Sequence, residues 1–153
     1  MQRGILAAVY AAAFVSVLGA AGARAELATW DQARVTKYAE ELAVATDDLR
    51  QSLESIGIQN IANANELYQV QDTVKLLDTA SEGLAAALKN GKGRDETLPR
   101  YKRVELLRRD AEEEGQRADI PENVFDKVFS VGSALIKLRP YYVDEPAKEA
   151  PAE

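Results

Sequence analysis

Lys92, Arg94, Arg100, Lys102 and Arg103 crowd into a dozen residues, and only Asp95, Glu96 and Glu105 offset them nearby. Guanidinium and ammonium groups at this density suit the binding of phosphate or carboxylate. Arg supplies a planar fork that grips such anions at two points, and Lys supplies a compact charge. Trp30, Arg139, Tyr141 and Tyr142 lie elsewhere in the chain but are the residue types that complete such a surface, the aromatics adding flat area with polar edges. The chemistry implied is recognition. Acid–base catalysis needs a positioned base, and no paired carboxylates or isolated Lys fall inside an apolar stripe.

The zeros in the composition narrow the field further. There is no His and no Cys, and the one Met is the initiator. Without imidazole, thiolate or thioether, the usual ligands for haem, copper, zinc and iron–sulfur centres are missing, and no haem attachment motif is present. Triads that use His are excluded, as are disulfides. The reading is therefore of a non-enzyme that needs no cofactor. The acids of Glu112, Glu113 and Glu114 fan around a helix rather than converge, and no Asp-rich loop with a turn glycine accompanies them, so no metal site is expected.

The elements that must position the cations are helical. From Thr29 to Gly57, Val35, Tyr38, Leu42, Ala45, Leu49, Leu53 and Ile56 recur at threes and fours, with Thr29 and Gln32 in capping-box spacing. A second stripe, Leu67, Val70, Val74, Leu77, Ser81, Leu84 and Leu88, runs up to Asn90 and the stop signal at Gly91. A third helix is expected from about Leu98 and Pro99, capped by Thr97 or Asp95, with Tyr101, Val104, Leu107 and Ala111 as its apolar line and Gly115 weakening its end. Asp119 and Glu122 enclose Pro121 as the start of a fourth, which Pro140 should end at Arg139. Its apolar residues Val124, Phe125, Val128, Phe129, Val131, Leu135, Ile136 and Leu138 cover nearly half its circumference, enough to pack on two neighbours. The expected fold class is all-α: an antiparallel up-and-down four-helix bundle, with two long helices and two shorter ones, over residues 26–142. A three-helix core whose fourth helix serves an oligomer interface is the alternative.

Both ends differ from this body. Residues 1–25 carry Arg3, an apolar run from Ile5 to Leu18 and small residues closing on Ala23-Arg24-Ala25, the layout of a cleaved secretory signal peptide. Retention as an anchor is the alternative, because Ile5 to Ala23 could just span a bilayer. Export to a bacterial periplasm follows, with no stable transmembrane segment after cleavage. Loss of Arg3 and Arg24 takes the net charge from −6 to −8, which argues against nucleic-acid binding. Residues 143–153 are Pro, Ala and acid after Val143, a composition for a disordered tail.

An up-and-down arrangement gathers Trp30, Lys92, Arg94, Arg100, Lys102, Arg103, Arg139, Tyr141 and Tyr142 at one end. The expected function is an exported interaction or scaffold protein whose basic, aromatic end contacts an anionic headgroup, a glycan or an acidic protein. A carrier of a small amphipathic or anionic ligand is the alternative, with Ala80, Ala85, Ala86 and Ala87 as the small residues available to line a cavity. The later charges of the third helix look self-balancing: Glu105, Arg109, Glu113 and Arg117 alternate four apart, and Arg108 pairs with Glu112. The turn between the first two helices carries Ile56, Ile58, Ile61 and Asn63, candidates for a projecting contact with a partner or a second copy in a homodimer.

Overall fold

In the computed structural model the described residues are 27–56, 64–118 and 120–143, and they form four helices with no strand among them: α1 (Gln32–Glu54), α2 (Ala64–Lys89), α3 (Arg94–Ala118) and α4 (Glu122–Tyr142). Their lengths are 23, 26, 25 and 21 residues, so the expected division into two long and two short helices is not seen. The expected signal segment, the tail beyond Val143, and Ile58, Ile61 and Asn63 of the tip lie outside the described residues.

Local chemistry sets the boundaries, and in three places it differs from expectation. Asp31, not Thr29, caps α1, its Oδ1 accepting from the Arg34 N–H at 3.1 Å. Gln32 is engaged elsewhere: its amide donates to the carbonyls of Leu88 and Lys92 at 2.7 and 3.2 Å, and its Oε1 accepts from the Trp30 indole at 2.9 Å. At the end of α2, Gly91 adopts φ +78°, the Gly91 N–H reaches the Leu88 carbonyl, and the Lys92 N–H reaches the Ala87 carbonyl. This is the doubly bonded left-handed stop that glycine permits.

α3 begins four residues before the expected Leu98. The Gly93 N–H donates to Glu96 Oε2 at 3.1 Å, while the Thr97 N–H and hydroxyl both donate to the Gly93 carbonyl. A backbone cap at Gly93 thus replaces one at Thr97 or Asp95, and Pro99 sits inside the helix. At the other end of the chain, α4 continues through Pro140 to Tyr142. Proline removes one helical N–H, but burial of Tyr141 and Tyr142 holds the last turn in place, and the Pro140 carbonyl accepts from the Ala28 N–H at 2.8 Å. Pro121 precedes α4 without a side-chain cap of its own, and Asp119 of the expected capping box lies outside the described residues.

The helices share one core. α1 packs between α2 and α4, and α3 packs on α2, whereas α3 and α4 touch far less. Neighbours run in opposite senses: Thr46 and Arg50 of α1 reach Asp78 of α2 while Gln32 reaches Leu88, and Lys137 and Lys127 of α4 reach Glu41 and Asp48 of α1. Every residue of the predicted α2 stripe is buried, as is the predicted line of α3. On α1, Ala39 and Thr46 are buried in place of Tyr38 and Ala45, which are half-buried. On α4, Phe129 is 78% exposed and Ile136 is 68% exposed, so the wide apolar face meets one neighbour fully and the second only in part.

Candidate functional site

The cationic stretch divides into two environments. Arg94, the first residue of α3, turns inward: its guanidinium donates to the Ala28 carbonyl at 2.7 Å and lies 5.4 Å from the Trp30 ring centroid. Trp30 meets Tyr142 edge-on at 5.6 Å and Tyr141 at 6.4 Å, and Tyr101 stacks on Tyr142. Tyr101, Tyr141 and Tyr142 are all buried and Trp30 is half-buried. The expected exposed aromatic platform is therefore a packed knot, whose rings remove a large apolar area from water by edge-on and stacked contacts with one another. Burial pushes the Tyr101 hydroxyl well above the usual tyrosine range, and its bond to Glu105 at 2.6 Å pushes it further. Burial also raises Tyr142, against the opposing effects of the Thr97 hydroxyl at 2.9 Å and the Arg94 charge.

Arg100 and Arg103 lie elsewhere, on the outer side of α3 facing α2. Together with Leu76, Thr79 and Ala80 they line an open groove of about 200 Å³. Arg100 crosses α2 at Gly83, where an added Cβ would stand 3.2 Å from its Nη1. Leu76 is half exposed and floors the groove with apolar surface. Neither Arg100 nor Arg103 pairs with a carboxylate among the described residues. Lys102 is exposed beside them, and Lys92 and Arg139 are exposed on the aromatic side of the molecule.

The earlier start of α3 changes the electrostatics. Asp95 and Glu96 occupy its first turn, where carboxylates are favourable. Arg100, Lys102 and Arg103 fall in its second and third turns, beyond most of the helix-terminal field that disfavours cations. Of the expected self-balancing pairs, Arg108 and Glu112 close, whereas Glu105 is taken by the Tyr101 hydroxyl. Exposed ladder pairs gain little over the entropy of holding two long side chains.

Sequence reasoning grouped Arg100 and Arg103 with Trp30, Tyr141 and Tyr142, whereas they line a groove with Leu76, Thr79 and Ala80 of α2, which it missed. Its signal was Gly83, an isolated glycine in an Ala-rich helix, where it is about 1 kcal/mol less favourable than Ala and marks a close approach. Sequence reasoning also missed a cleft of about 260 Å³ between α3 and α4, lined by Ala111, Gly115, Ile120, Phe129, Gly132 and Ile136 among others. Within the core, the space under Leu77, Val131 and Val74 is about 10 Å³, and Ala85 and Ala87 are buried in packing. Ile56, the one tip candidate described, is half-buried against the core. No helix among the described residues is long and apolar enough to cross a membrane.

Comparison with known protein families, curated proteins and solved structures returns no match to any of the three.

Proposed function

We propose that the chain is an exported, non-catalytic interaction protein built as an antiparallel up-and-down bundle, and that the Arg100, Lys102 and Arg103 face of α3 contacts an anionic partner. The observation that carries this reading is the groove in which Arg100 and Arg103 stand, without carboxylate partners among the described residues, above the apolar floor of Leu76 and Ala80. Two forked cations over an apolar strip suit a phosphate or carboxylate attached to an apolar body. The tight interior, with about 10 Å³ of space beneath Leu77 and Val131, favours this surface reading over a carrier that holds its ligand inside the bundle.

Triple reversal of Arg100, Lys102 and Arg103 to Glu tests the proposal, with binding followed to anionic vesicles and to soluble acidic glycans at two salt concentrations. The wild type should bind one of these in a salt-sensitive way and the variant should not. Equal binding by both proteins refutes the reading. Replacement of Arg94 serves as the control, because it should lower stability while leaving this binding in place.

A further inference from the structure

The chain leaves α4 beside a line of cations that leads to the basic groove. Val143, the last described residue, follows directly on Tyr142, whose hydroxyl meets Thr97 of α3 and whose ring stacks on Tyr101. Successive residues of a helix are turned by about 100°. Going round α3 from Tyr101, Lys102 therefore comes next on the outer surface, Arg103 follows, and Arg100 completes the line where it crosses α2 at Gly83. Lys102, Arg103 and Arg100 are all exposed. None of the three pairs with a carboxylate among the described residues, whereas Lys89, Lys127 and Lys137 each pair with an acid of α1.

The residues after Val143 are the chemical complement of that line. Asp144, Glu145, Glu149 and Glu153 set four carboxylates against the one ammonium of Lys148. Pro146, Ala147, Ala150 and Pro151 bring small apolar groups of a size to lie on Leu76 and Ala80, the floor of the groove. Reach is sufficient. Half the girth of a helix with its side chains is about 17 Å, and six extended residues span about 20 Å. Glu149, six residues beyond Val143, can thus stand over Arg100 and Arg103, with Asp144 and Glu145 beside Lys102. A segment tethered this closely presents its carboxylates at an effective concentration on the order of millimolar, an advantage that a free anion lacks.

We infer, on the reading of the groove as an anion site, that its resident occupant is the acidic segment 144–153 of the same chain, with Glu149 on the two guanidinium groups. An external anion then enters by displacing this segment, which makes the tail an autoinhibitory contact.

The test keeps the full chain. Because the protein has no Cys, Ala152→Cys carries a single nitroxide label. At low salt the label should broaden the amide resonances of Thr79, Ala80 and Arg103, and should spare Val44 of α1 and Lys127 of α4. Salt at about 1 M, where charges are screened beyond about 3 Å, should remove the broadening. So should Arg100→Glu with Arg103→Glu, and so should neutralisation of the tail by Asp144→Asn, Glu145→Gln, Glu149→Gln and Glu153→Gln. Lys92→Glu, an exposed cation outside the groove, should leave it in place. The unlabelled neutral-tail chain should bind one of two probes, anionic vesicles or a soluble acidic glycan, about tenfold more tightly than the wild type at low salt.

Groove amides that stay sharp overturn the inference while leaving the groove free to bind an external anion, and so does broadening that survives reversal of Arg100 and Arg103. Broadening seen only between a labelled chain and a separate, isotopically enriched one overturns it as well, since the tail then serves a second copy. A neutral-tail chain that binds a probe, but no more tightly than the wild type, has the same force. Broadening in a protein whose neutral-tail form binds neither probe supports the tail contact and refutes the external partner instead.

Discussion

Tyr101 lies face to face with Tyr142, ring centroids 4.3 Å apart and planes 8° from parallel, and each hydroxyl is spent on a different partner: Glu105 for Tyr101 and Thr97 for Tyr142. This stack joins the second turn of α3 to the last turn of α4, two helices that otherwise touch little. It also explains why α4 runs past Pro140. Two rings buried against Tyr101 and Trp30 outweigh one missing N–H.

The stack makes the protein sensitive to alkali. Both hydroxyls are raised in the folded state, so the folded chain holds its phenolic protons more tightly than the unfolded one. Their contribution is complete below the unfolded tyrosine value near 10 and is lost as pH climbs above it toward the folded value. Urea midpoints measured at about pH 8 and about pH 11 should therefore fall more for the wild type than for the Tyr101→Phe, Tyr142→Phe double variant. At neutral pH the double variant should be the weaker protein, by about 1 kcal/mol per lost hydrogen bond. Parallel loss in both proteins would contradict this.

Gly91 should resist replacement for a backbone reason alone. Its φ of +78° lies in the left-handed region, and an added Cβ would meet nothing within 4 Å. Gly91→Ala should cost about 1 kcal/mol, from the strain of placing a Cβ residue there, with no steric component. Gly91→Asn should cost less, because Asn tolerates that region better. Thermal unfolding of the two variants checks the order.

Asp78 is the buried acid of the α1–α2 contact. Its two oxygens accept from the Thr46 hydroxyl at 3.1 Å and from Arg50 Nε at 2.9 Å, while Arg50 also pairs with Asp47 and Glu54. Asp78→Ala should cost about 1 to 3 kcal/mol, since it leaves the Thr46 hydroxyl buried with only the Ala43 carbonyl. The Thr46→Val, Asp78→Leu double variant should be nearer the wild type, because both buried polar groups leave together and Arg50 keeps Asp47 and Glu54. Denaturant midpoints of the two variants decide it.

What the sequence disclosed, and what it hid, follows from the range of the forces involved. The α2 stripe from Leu67 to Leu88 was readable because a helix that packs along its whole length must repeat apolar residues at its own period. Boundaries were less readable, because they turn on competition between neighbours. Asp31 and Thr29 could each cap α1, and Gln32 proved to be committed to the end of α2, fifty-six residues away. The start of α3 was missed because Pro99 and Thr97 are strong local signals, while Gly93 with Glu96 caps the chain first. The burial of Tyr141 and Tyr142 was hidden for a different reason: the up-and-down arrangement brings Trp30 to their end, but nothing along α4 says that the rings will pack on one another instead of facing solvent. Arg94 and Arg100 look alike in sequence, yet one anchors Ala28 and the other lies across Gly83.

Gly83 separates stability from function at the proposed binding face. Ala is favoured over Gly inside a helix by up to about 1 kcal/mol, so Gly83→Ala should raise the unfolding midpoint if the new methyl can be accommodated. The atom it would crowd, at 3.2 Å, is Nη1 of Arg100, the far end of a flexible side chain that can swing toward solvent at little cost. The gain in helix propensity should therefore survive. What should not survive is the placement of Arg100 over Leu76 and Ala80 beside Arg103. Gly83→Ala is expected to be as stable as the wild type or more so, and weaker in salt-sensitive binding to whichever anionic probe the wild type prefers. Thermal unfolding and vesicle or glycan binding on the same preparation read both effects. A variant that binds as well as the wild type would show that the fixed position of Arg100 does not matter to the contact, and a destabilised variant would show that α2 and α3 are packed too tightly there for Arg100 to move.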